Sequence, residues 1–260
     1  MRHGRRQQMA ESDAARADRK KTRSLARISG LAAFSFAAML VYGGALLLTH
    51  PQTPLPPAWN PVQPLLVADP VTPITGWKLS RTASDAGLCT AALATAAEAT
   101  RMPPLEETEA CFIPDRVSLS NVGAASLAPV ETSCATALHM AMWERHTVQP
   151  AAEALLGQPV RAIQHIGSYN CRLMRTTGGT SSRFSTHATA SAMDVSGFGL
   201  ADGSRISLLA DWEGDGPKAA FLRRVRDGAC DWFGLTLSPD YNRLHADHFH
   251  LQVPGWGGCR

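Results

Sequence analysis

The six cysteines of this 260-residue chain constrain its fold more than any other feature of the sequence. They all lie between residues 89 and 259, and no two have the C-x-x-C spacing of a cysteine zinc site. An even number of cysteines confined to one region predicts disulfide bonds formed in an oxidising compartment. We expect three disulfides, with one local bridge from Cys89 to Cys111 and the others within the main domain. The candidates are Cys89, Cys111, Cys134, Cys171, Cys230 and Cys259.

The N-terminal region combines a basic stretch with an apolar one. Residues 1–27 hold nine Arg or Lys against three acidic residues, and residues 28–48 carry no charge. A helix over this apolar run spans about 30 Å, the thickness of a bilayer's hydrocarbon core. The positive flank predicts a single-pass anchor in the inner membrane, with the N-terminus in the cytoplasm and the remaining chain in the periplasm. The alternative is a cleaved signal peptide, for which "LLLTHPQTP" is a poor cleavage site.

The charge and proline content describe the remaining chain. The net charge of +3 comes from the basic leader, and a slightly acidic body does not predict nucleic acid as a partner. Residues 51–73 contain eight prolines, which favours an extended tether, although the half nearer Trp77 could instead lie on the domain. The expected parts are a cytoplasmic basic tail (1–27), a transmembrane anchor (28–48), a Pro-rich linker (49–76), an N-terminal subregion (77–133) and the main domain (134–260).

The main domain has the pattern of a mixed helix and strand structure. Apolar spacing predicts two short helices over 134–157, interrupted near Pro150, and a buried strand over 159–169. Asp202-Gly203 between apolar runs predicts a β-hairpin. A helix over 217–228 and a short closing strand complete the pattern. The expected class is α+β, with a small antiparallel sheet and flanking helices.

Two short stretches carry the residues suited to chemistry. "RLHADHFHLQV" contains His245, Asp247, His248 and His250, and on a strand His248 and His250 project to the same face. Imidazole is a common zinc ligand, but a catalytic zinc usually takes three protein ligands and leaves a fourth position open. Upstream, "RFSTHATASAMDVSGF" offers His187 and Asp194, separated by small residues that let the chain fold back closely.

These stretches resemble known families. The pattern SxHxxxxAxD at Ser185, His187, Ala192 and Asp194, followed by H-x-x-H-x-H, resembles the zinc peptidases that group lysostaphin, D-Ala-D-Ala carboxypeptidases and hedgehog domains. The C-terminal spacing is similar to penicillin-insensitive murein endopeptidases. The segments "GSYNCR", "HATASAMDVSGF", "FLRRVRDGAC" and "LSPDYN", before "HADHFHL", make residues 134–260 look like the C-terminal domain of bacterial extensin-like proteins. That likeness extends more loosely back to Cys89.

The peptidase resemblance implies a D-Ala-D-Ala peptidase or hedgehog-like fold, with Zn²⁺ held by His187, Asp194 and His250. Such a site hydrolyses a peptide bond. Ala190 stands where these peptidases usually have glycine, and we expect alanine to exclude a positive φ there.

The resemblance leaves the other roles more open. The general base is either His248, which lines the open position, or Asp247, which qualifies only if the backbone before His248 is irregular. Arg172 is a candidate to stabilise the oxyanion. His245, Ser185 and Arg183 are candidates to orient the ligands or the base.

The predicted location narrows the function. A domain outside the cytoplasmic membrane meets peptidoglycan, whose stem peptides contain amide cross-links. The sequence therefore predicts a zinc-dependent peptidoglycan peptidase, either an endopeptidase or a carboxypeptidase. The alternative is a wall-binding module that keeps the fold without turnover. A purely structural zinc site is disfavoured, because such sites are usually four-coordinate and rich in cysteine.

Overall fold

The computed structural model describes residues 16, 19–20, 33–255 and 257–260. The chain divides into two compact units, Met1–Pro56 and Pro57–Arg260. In the first unit, residues 33–49 are helical and are called α1. No helix in the described part of the chain is long and apolar enough to cross a membrane. The predicted membrane anchor at 28–48 was therefore wrong; its first residues, 28–32, and most of the predicted basic tail lie outside the described residues.

The second unit contains the remaining helices and all the strands. The helices are α2 (Thr75–Ala83), α3 (Ala86–Leu93), α4 (Cys134–Trp143), α5 (Gln149–Leu156), α6 (Leu208–Asp211) and α7 (Pro217–Ala229). The first eight strands are β1 (Ala97–Arg101), β2 (Leu105–Thr108), β3 (Cys111–Ile113), β4 (Arg116–Val122), β5 (Ala125–Ser133), β6 (Val160–Gly167), β7 (Leu173–Thr176) and β8 (Gly179–Phe184). The others are β9 (Ala192–Leu200), β10 (Arg205–Ser207), β11 (Leu235–Leu237), β12 (Phe249–Gln252) and β13 (Gly258–Cys259).

The main sheet has nine strands, with the order β1-β4-β5-β6-β9-β12-β11-β13 and β10 paired to β9. Most pairs are antiparallel, but β5–β6 and β11–β13 are parallel. The α+β class is therefore confirmed, whereas the prediction of a small antiparallel sheet was wrong. The sheet is larger because residues 97–133, for which no strands were predicted, add β1, β4 and β5. The hairpins β2–β3 and β7–β8 stand apart from it.

Several elements follow the predicted pattern. The strand expected over 159–169 is β6, and the Asp202-Gly203 hairpin joins β9 to β10 with Gly203 at φ 84°. Pro217 lies in the first turn of α7. The expected break near Pro150 is a π-helical turn, Glu144–Val148, before α5. Proline has no amide N–H to continue the regular helical bonding, so the chain widens one turn instead of stopping.

The segment before α2 packs on the second unit from Pro57 onward. Leu65 and Val67 are buried in the main hydrophobic core. The His146 ring donates from Nε2 to the carbonyl oxygen of Val67 at 2.8 Å, and the Lys78 ammonium donates to the carbonyl oxygen of Pro57 at 2.9 Å. This part of the Pro-rich stretch therefore lies on the domain rather than forming an extended tether.

Three disulfides staple the second unit, and no cysteine is free. They join Cys89 to Cys134, Cys111 to Cys171 and Cys230 to Cys259. The number is as predicted, but the expected Cys89–Cys111 bridge was wrong. Cys89 pairs with Cys134 instead because α3 packs against the start of α4, which brings the Cα atoms of these two residues to 6.2 Å. Two bridges consequently tie residues before 134 to residues of the predicted main domain.

Candidate active site

Three elements bring His187, Asp194 and His250 together. His187 lies on the short 3-10 turn Thr186–Thr189, and the Ser185 hydroxyl oxygen accepts a hydrogen bond from its backbone N–H at 3.3 Å. Asp194 lies on β9 and His250 on β12, where the antiparallel register places them directly opposite each other. Directly opposed residues on one face have neighbouring side chains. The register of two strands distant in sequence thus builds two-thirds of the cluster.

The distances within this cluster fit a tetrahedral metal site. The inner nitrogens, His187 Nε2 and His250 Nδ1, lie 3.2 Å apart. His187 Nε2 lies 3.1 Å from Asp194 Oδ2, and His250 Nδ1 lies 2.9 Å from Asp194 Oδ1. Ligand atoms about 2.0–2.1 Å from a tetrahedral zinc lie about 3.3 Å from one another. Each nitrogen contacts a different oxygen of Asp194, and one donor atom from each of the three residues lies within 4.8 Å of the other two, so the group can hold one metal ion.

The outer nitrogens of both imidazoles are held by oxygen acceptors. His187 Nδ1 donates to the carbonyl oxygen of Ser168 at 2.7 Å, and His250 Nε2 donates to Gln252 Oε1 at 3.4 Å. The Gln252 amide nitrogen donates to the carbonyl oxygen of Pro254, which keeps Oε1 towards the histidine. With the proton on its outer nitrogen, each ring in its neutral form turns an unprotonated nitrogen towards Asp194. In that form, lone pairs of the three residues face one another at this spacing and repel unless a proton or a metal ion lies between them.

Sequence reasoning missed Ser168 and Gln252. Gln252 could have been found, because the alternation that puts His248 and His250 on one face also puts residue 252 there. Ser168 acts through its backbone carbonyl, and the sequence gives no signal for that. Its buried side chain hydrogen-bonds to the Thr132 hydroxyl and the Ala192 carbonyl, both at 2.7 Å, which fixes the carbonyl's position.

Ala190 bends the chain between His187 and Asp194. Its φ of 48° and ψ of 31° lie in the left-handed region, so the expectation that alanine excludes a positive φ was wrong. That region is small but accessible to L-residues when the surroundings hold the backbone there. The carbonyl oxygen of Ala190 accepts hydrogen bonds from the hydroxyls of Thr136, at 2.9 Å, and Thr132, at 3.3 Å. These bonds hold the bend without glycine.

Burial and charge affect two groups in the site. Burial alone would raise the pKa of Asp194, but hydrogen bonds and charge from His187 and His250 outweigh it, so the pKa lies well below its usual range. The carboxylate is therefore ionised at neutral pH. Burial, followed by repulsion from His248 and His250, lowers the pKa of His245 to about 4. His245 is consequently neutral, and its Nδ1 donates to Asn242 Oδ1 at 2.9 Å.

His248 and Asp247 form a hydrogen-bonded pair beside the cluster. Strand β12 begins at Phe249, so the backbone before it is irregular, which was the condition for Asp247 to reach the site. His248 Nδ1 donates to Asp247 Oδ1 at 2.8 Å, and His248 Nε2 lies 3.7 Å from Asp194 Oδ1. Asp247 therefore orients the imidazole, and the opposite ring nitrogen faces the cluster of His187, Asp194 and His250.

Comparison with protein families shows which family this chain belongs to. The family model described as "Extensin-like protein C-terminus" matches residues 87–260. The chain belongs to this family. The matched region of the extensin-like chain includes all six cysteines and every candidate site residue. No curated protein and no solved structure matched the chain, so the resemblance to zinc peptidases rests on the motif residues and their geometry.

The cluster of the extensin-like domain lies in a groove of about 1000 Å³, which is large enough for a peptide segment. Arg172 and Arg183 line it, but among the described residues no hydrogen bond or ion pair joins either side chain to the three clustered residues. One Arg172 nitrogen donates to the carbonyl oxygen of Leu173 at 3.3 Å. The structure thus places Arg172 on the groove wall, and Arg183 on the same wall rather than against a ligand.

Proposed function

We propose that this extensin-like chain is a zinc-dependent peptidase that acts on the peptide part of peptidoglycan. The observation that carries the proposal is the outward hydrogen bonding of both imidazoles, which directs two unprotonated nitrogens at an ionised carboxylate. Three ligands of this kind are typical of catalytic zinc, which keeps a fourth position open. When bound, zinc supplies a Lewis acid that acidifies water and polarises an amide carbonyl.

His248 is the group that we propose as the general base. Its Nδ1–H is held by Asp247, so Nε2 is the free, proton-accepting nitrogen, and it faces the site. There it takes a proton from the attacking water and returns it to the leaving amine nitrogen. Asp247 has a positioning role, because its carboxylate fixes the ring's tautomer and stabilises the protonated ring.

Arg172 and the groove bind the substrate in this proposal. The guanidinium uses one nitrogen on a backbone carbonyl, which leaves other N–H groups for the oxygen on which charge develops. Apolar Ile166, Met174 and Phe184 line the same groove and suit the side chains of an extended peptide.

The three disulfides support the choice of peptidoglycan. Disulfides persist in oxidising compartments outside the cytoplasm, and peptidoglycan lies there in bacteria. A site for amide hydrolysis in that compartment has stem peptides and cross-links as abundant substrates. The choice between cross-links and stem ends is an outcome of the test.

The test uses the full chain with isolated peptidoglycan sacculi, with and without added zinc and a chelator. We expect a change in muropeptide cross-linking or stem length that requires zinc, disappears with chelator and is absent in the His248→Ala variant. Zinc content is measured in parallel. A zinc-loaded protein that binds sacculi without changing any muropeptide would support the second candidate, a wall-binding module, and would refute the peptidase.

A further inference from the structure

Arginines without acidic partners line the groove beside the metal-binding cluster. Arg175 lies on β7 and Arg183 on β8, and Arg172 directly precedes the hairpin. A fourth, Arg260, also lines the groove. No salt bridge of the described residues includes any of these four side chains, whereas arginines elsewhere, such as Arg116 and Arg226, pair with carboxylates.

The acidic residues of the groove are already engaged. Among its described lining residues only Asp194 and Asp247 have acidic side chains; Asp194 contacts His250, and Asp247 accepts a hydrogen bond from His248. Nearby, Glu107 accepts a hydrogen bond from the Tyr169 hydroxyl at 2.6 Å. These groove-lining arginines therefore have unused guanidinium donors, which suit the paired oxygens of a carboxylate.

The β7–β8 hairpin holds its arginines in a fixed relation to the metal ligands. Ser185, just after β8, donates its backbone N–H to the carbonyl oxygen of Arg172 at 3.0 Å, which closes the base of the hairpin. The Cys111–Cys171 disulfide anchors the same base to β3. Because His187 follows two residues after Ser185, a group held by the hairpin lies at a defined distance from the cluster.

We propose that the groove selects anionic peptides, which place a carboxylate against the guanidinium groups of Arg175 and Arg183 while the scissile amide lies at His187, Asp194 and His250. This inference rests on the proposed function and adds the charge of its substrate. The carboxylate is either the free end of the peptide or an acidic side chain near the amide, and the experiment separates these sources.

The first measurement is binding, made in the full-length His248→Ala background so that bound peptide is not consumed. Three synthetic peptides are compared: L-Ala-D-Glu-L-Lys-D-Ala-D-Ala, its C-terminal amide, and its analogue with D-Gln in place of D-Glu. We expect one amidation to raise Kd about 10-fold, the modest value that suits partly exposed charge pairs. A weaker Kd for the C-terminal amide identifies the free end of the peptide as the source of the carboxylate, and a weaker Kd for the D-Gln analogue identifies the acidic side chain.

Substitutions then assign the effect to the hairpin. In Arg175→Gln and Arg183→Gln the acidic and amidated peptides are expected to bind equally well. The matched control is Arg161→Gln, an exposed arginine of β6 outside the groove, which is expected to keep the discrimination. Equal Kd values for all three peptides in the parent protein, no binding at millimolar concentration, or loss of discrimination in the control as well would overturn the proposal.

Hydrolysis of the same peptides by the zinc-loaded parent chain separates the two proposals. If the peptides are discriminated in binding but none is cleaved, the carboxylate selection stands and the peptidase fails. If all three peptides are cleaved with the same kcat/KM and bind with the same Kd, the peptidase stands and the carboxylate selection fails. If both proposals hold, the kcat/KM ratio of acidic to amidated peptide should fall from about 10 towards unity in Arg183→Gln.

Discussion

His248 and His250 are two residues apart, yet their rings have different hydrogen-bond partners. His250 is held from outside by Gln252 and turns Nδ1 towards Asp194. His248 is held through Nδ1 by Asp247 and turns Nε2 towards the same carboxylate from 3.7 Å. The ring at 250 therefore has the geometry of a ligand, and the ring at 248 has that of a proton carrier.

This difference predicts that the two substitutions affect zinc binding and turnover differently. His250→Ala should lose zinc and activity together, because two remaining ligands retain zinc poorly against a chelator. His248→Ala should keep zinc while turnover falls by about 10²–10⁴-fold. Zinc content by mass spectrometry and muropeptide release measure the two effects. Zinc loss in His248→Ala with retention in His250→Ala would reverse the assignment.

Asp247→Asn tests the positioning role separately. We expect zinc to stay bound and turnover to fall about 10–100-fold, because the ring loses the carboxylate that fixes its tautomer. If Asp247 were the base itself, the loss would instead match that of His248→Ala.

Glu144 gives a residue-scale prediction about stability. Its carboxylate accepts hydrogen bonds from Ala124 N–H at 3.0 Å and the Gln149 amide at 2.7 Å, but burial dominates and raises its pKa above the ordinary value. Between the unfolded and the raised folded pKa, the folded chain binds more protons than the unfolded chain. The free energy of unfolding must therefore fall as pH rises through this window.

Glu144→Gln isolates that contribution, because glutamine keeps the accepting oxygen and cannot ionise. The free energy of unfolding of the parent chain and of the variant is measured by urea titration at a series of pH values. As pH rises above the ordinary range of glutamic acid, the variant should become more stable relative to the parent chain. A difference that is independent of pH would contradict the role of Glu144.

At the scale of elements, the loop between β6 and β7 connects a disulfide to the proposed metal ligands. It offers the carbonyl of Ser168 to His187 Nδ1, and its Asn170 N–H donates to the His187 carbonyl oxygen at 3.0 Å. Cys171 then fixes the loop to β3 through Cys111. The position of a ligand thus depends on a covalent link to the region before residue 134.

Replacing both members of this bridge by serine should therefore weaken zinc binding as well as stability. We expect a stability loss of about 2–5 kcal/mol and a zinc affinity lower by about 10–100-fold, the range found when groups that orient ligands are removed. The control is the double serine variant of Cys230 and Cys259, neither of which bonds to a ligand residue. It should lose stability with unchanged zinc affinity; equal affinity losses in both variants would contradict the link.

The elements also show how far sequence reasoning reaches. Helix α7 and the β9–β10 hairpin were predictable, because apolar spacing, Pro217 and Asp202-Gly203 are local signals. The candidate ligands were found by motif. Their meeting depends on β12 pairing with β9 in one register, and no local pattern encodes that contact across more than fifty residues. The partner of Cys89 was missed for the same reason, since it follows from how α3 packs on α4.

At the scale of the whole molecule, the second unit begins earlier than the family match. The match starts at residue 87, yet Leu65, Val67 and Leu79 lie in the common core. Core residues from the Pro-rich segment and from β4, β5 and α4 belong to one cluster. The boundary expected at 133/134 therefore separates two parts that bury the same apolar surface.

This predicts a minimal fragment. A chain that starts at Pro57 should unfold cooperatively at a temperature close to that of the full chain. A chain that starts at Trp77 loses Leu65 and Val67, each worth about 1.5–3 kcal/mol when fully buried, and should unfold at a clearly lower temperature. Circular dichroism melts of the two fragments test this, and equal midpoints would show that the segment adds nothing.

The disulfide connectivity has a consequence for how the protein is made. The bridges Cys89–Cys134 and Cys111–Cys171 cross each other in sequence, with sequence separations of 45 and 60. In a chain that emerges N-terminus first, Cys89 and Cys111 appear before either native partner, so an oxidant that joins thiols in order of appearance makes the wrong pair first. Thiol–disulfide exchange must then replace that pair, over seconds to hours. We therefore expect native pairing to be faster when a disulfide isomerase is present, and a host that lacks one should accumulate scrambled chains.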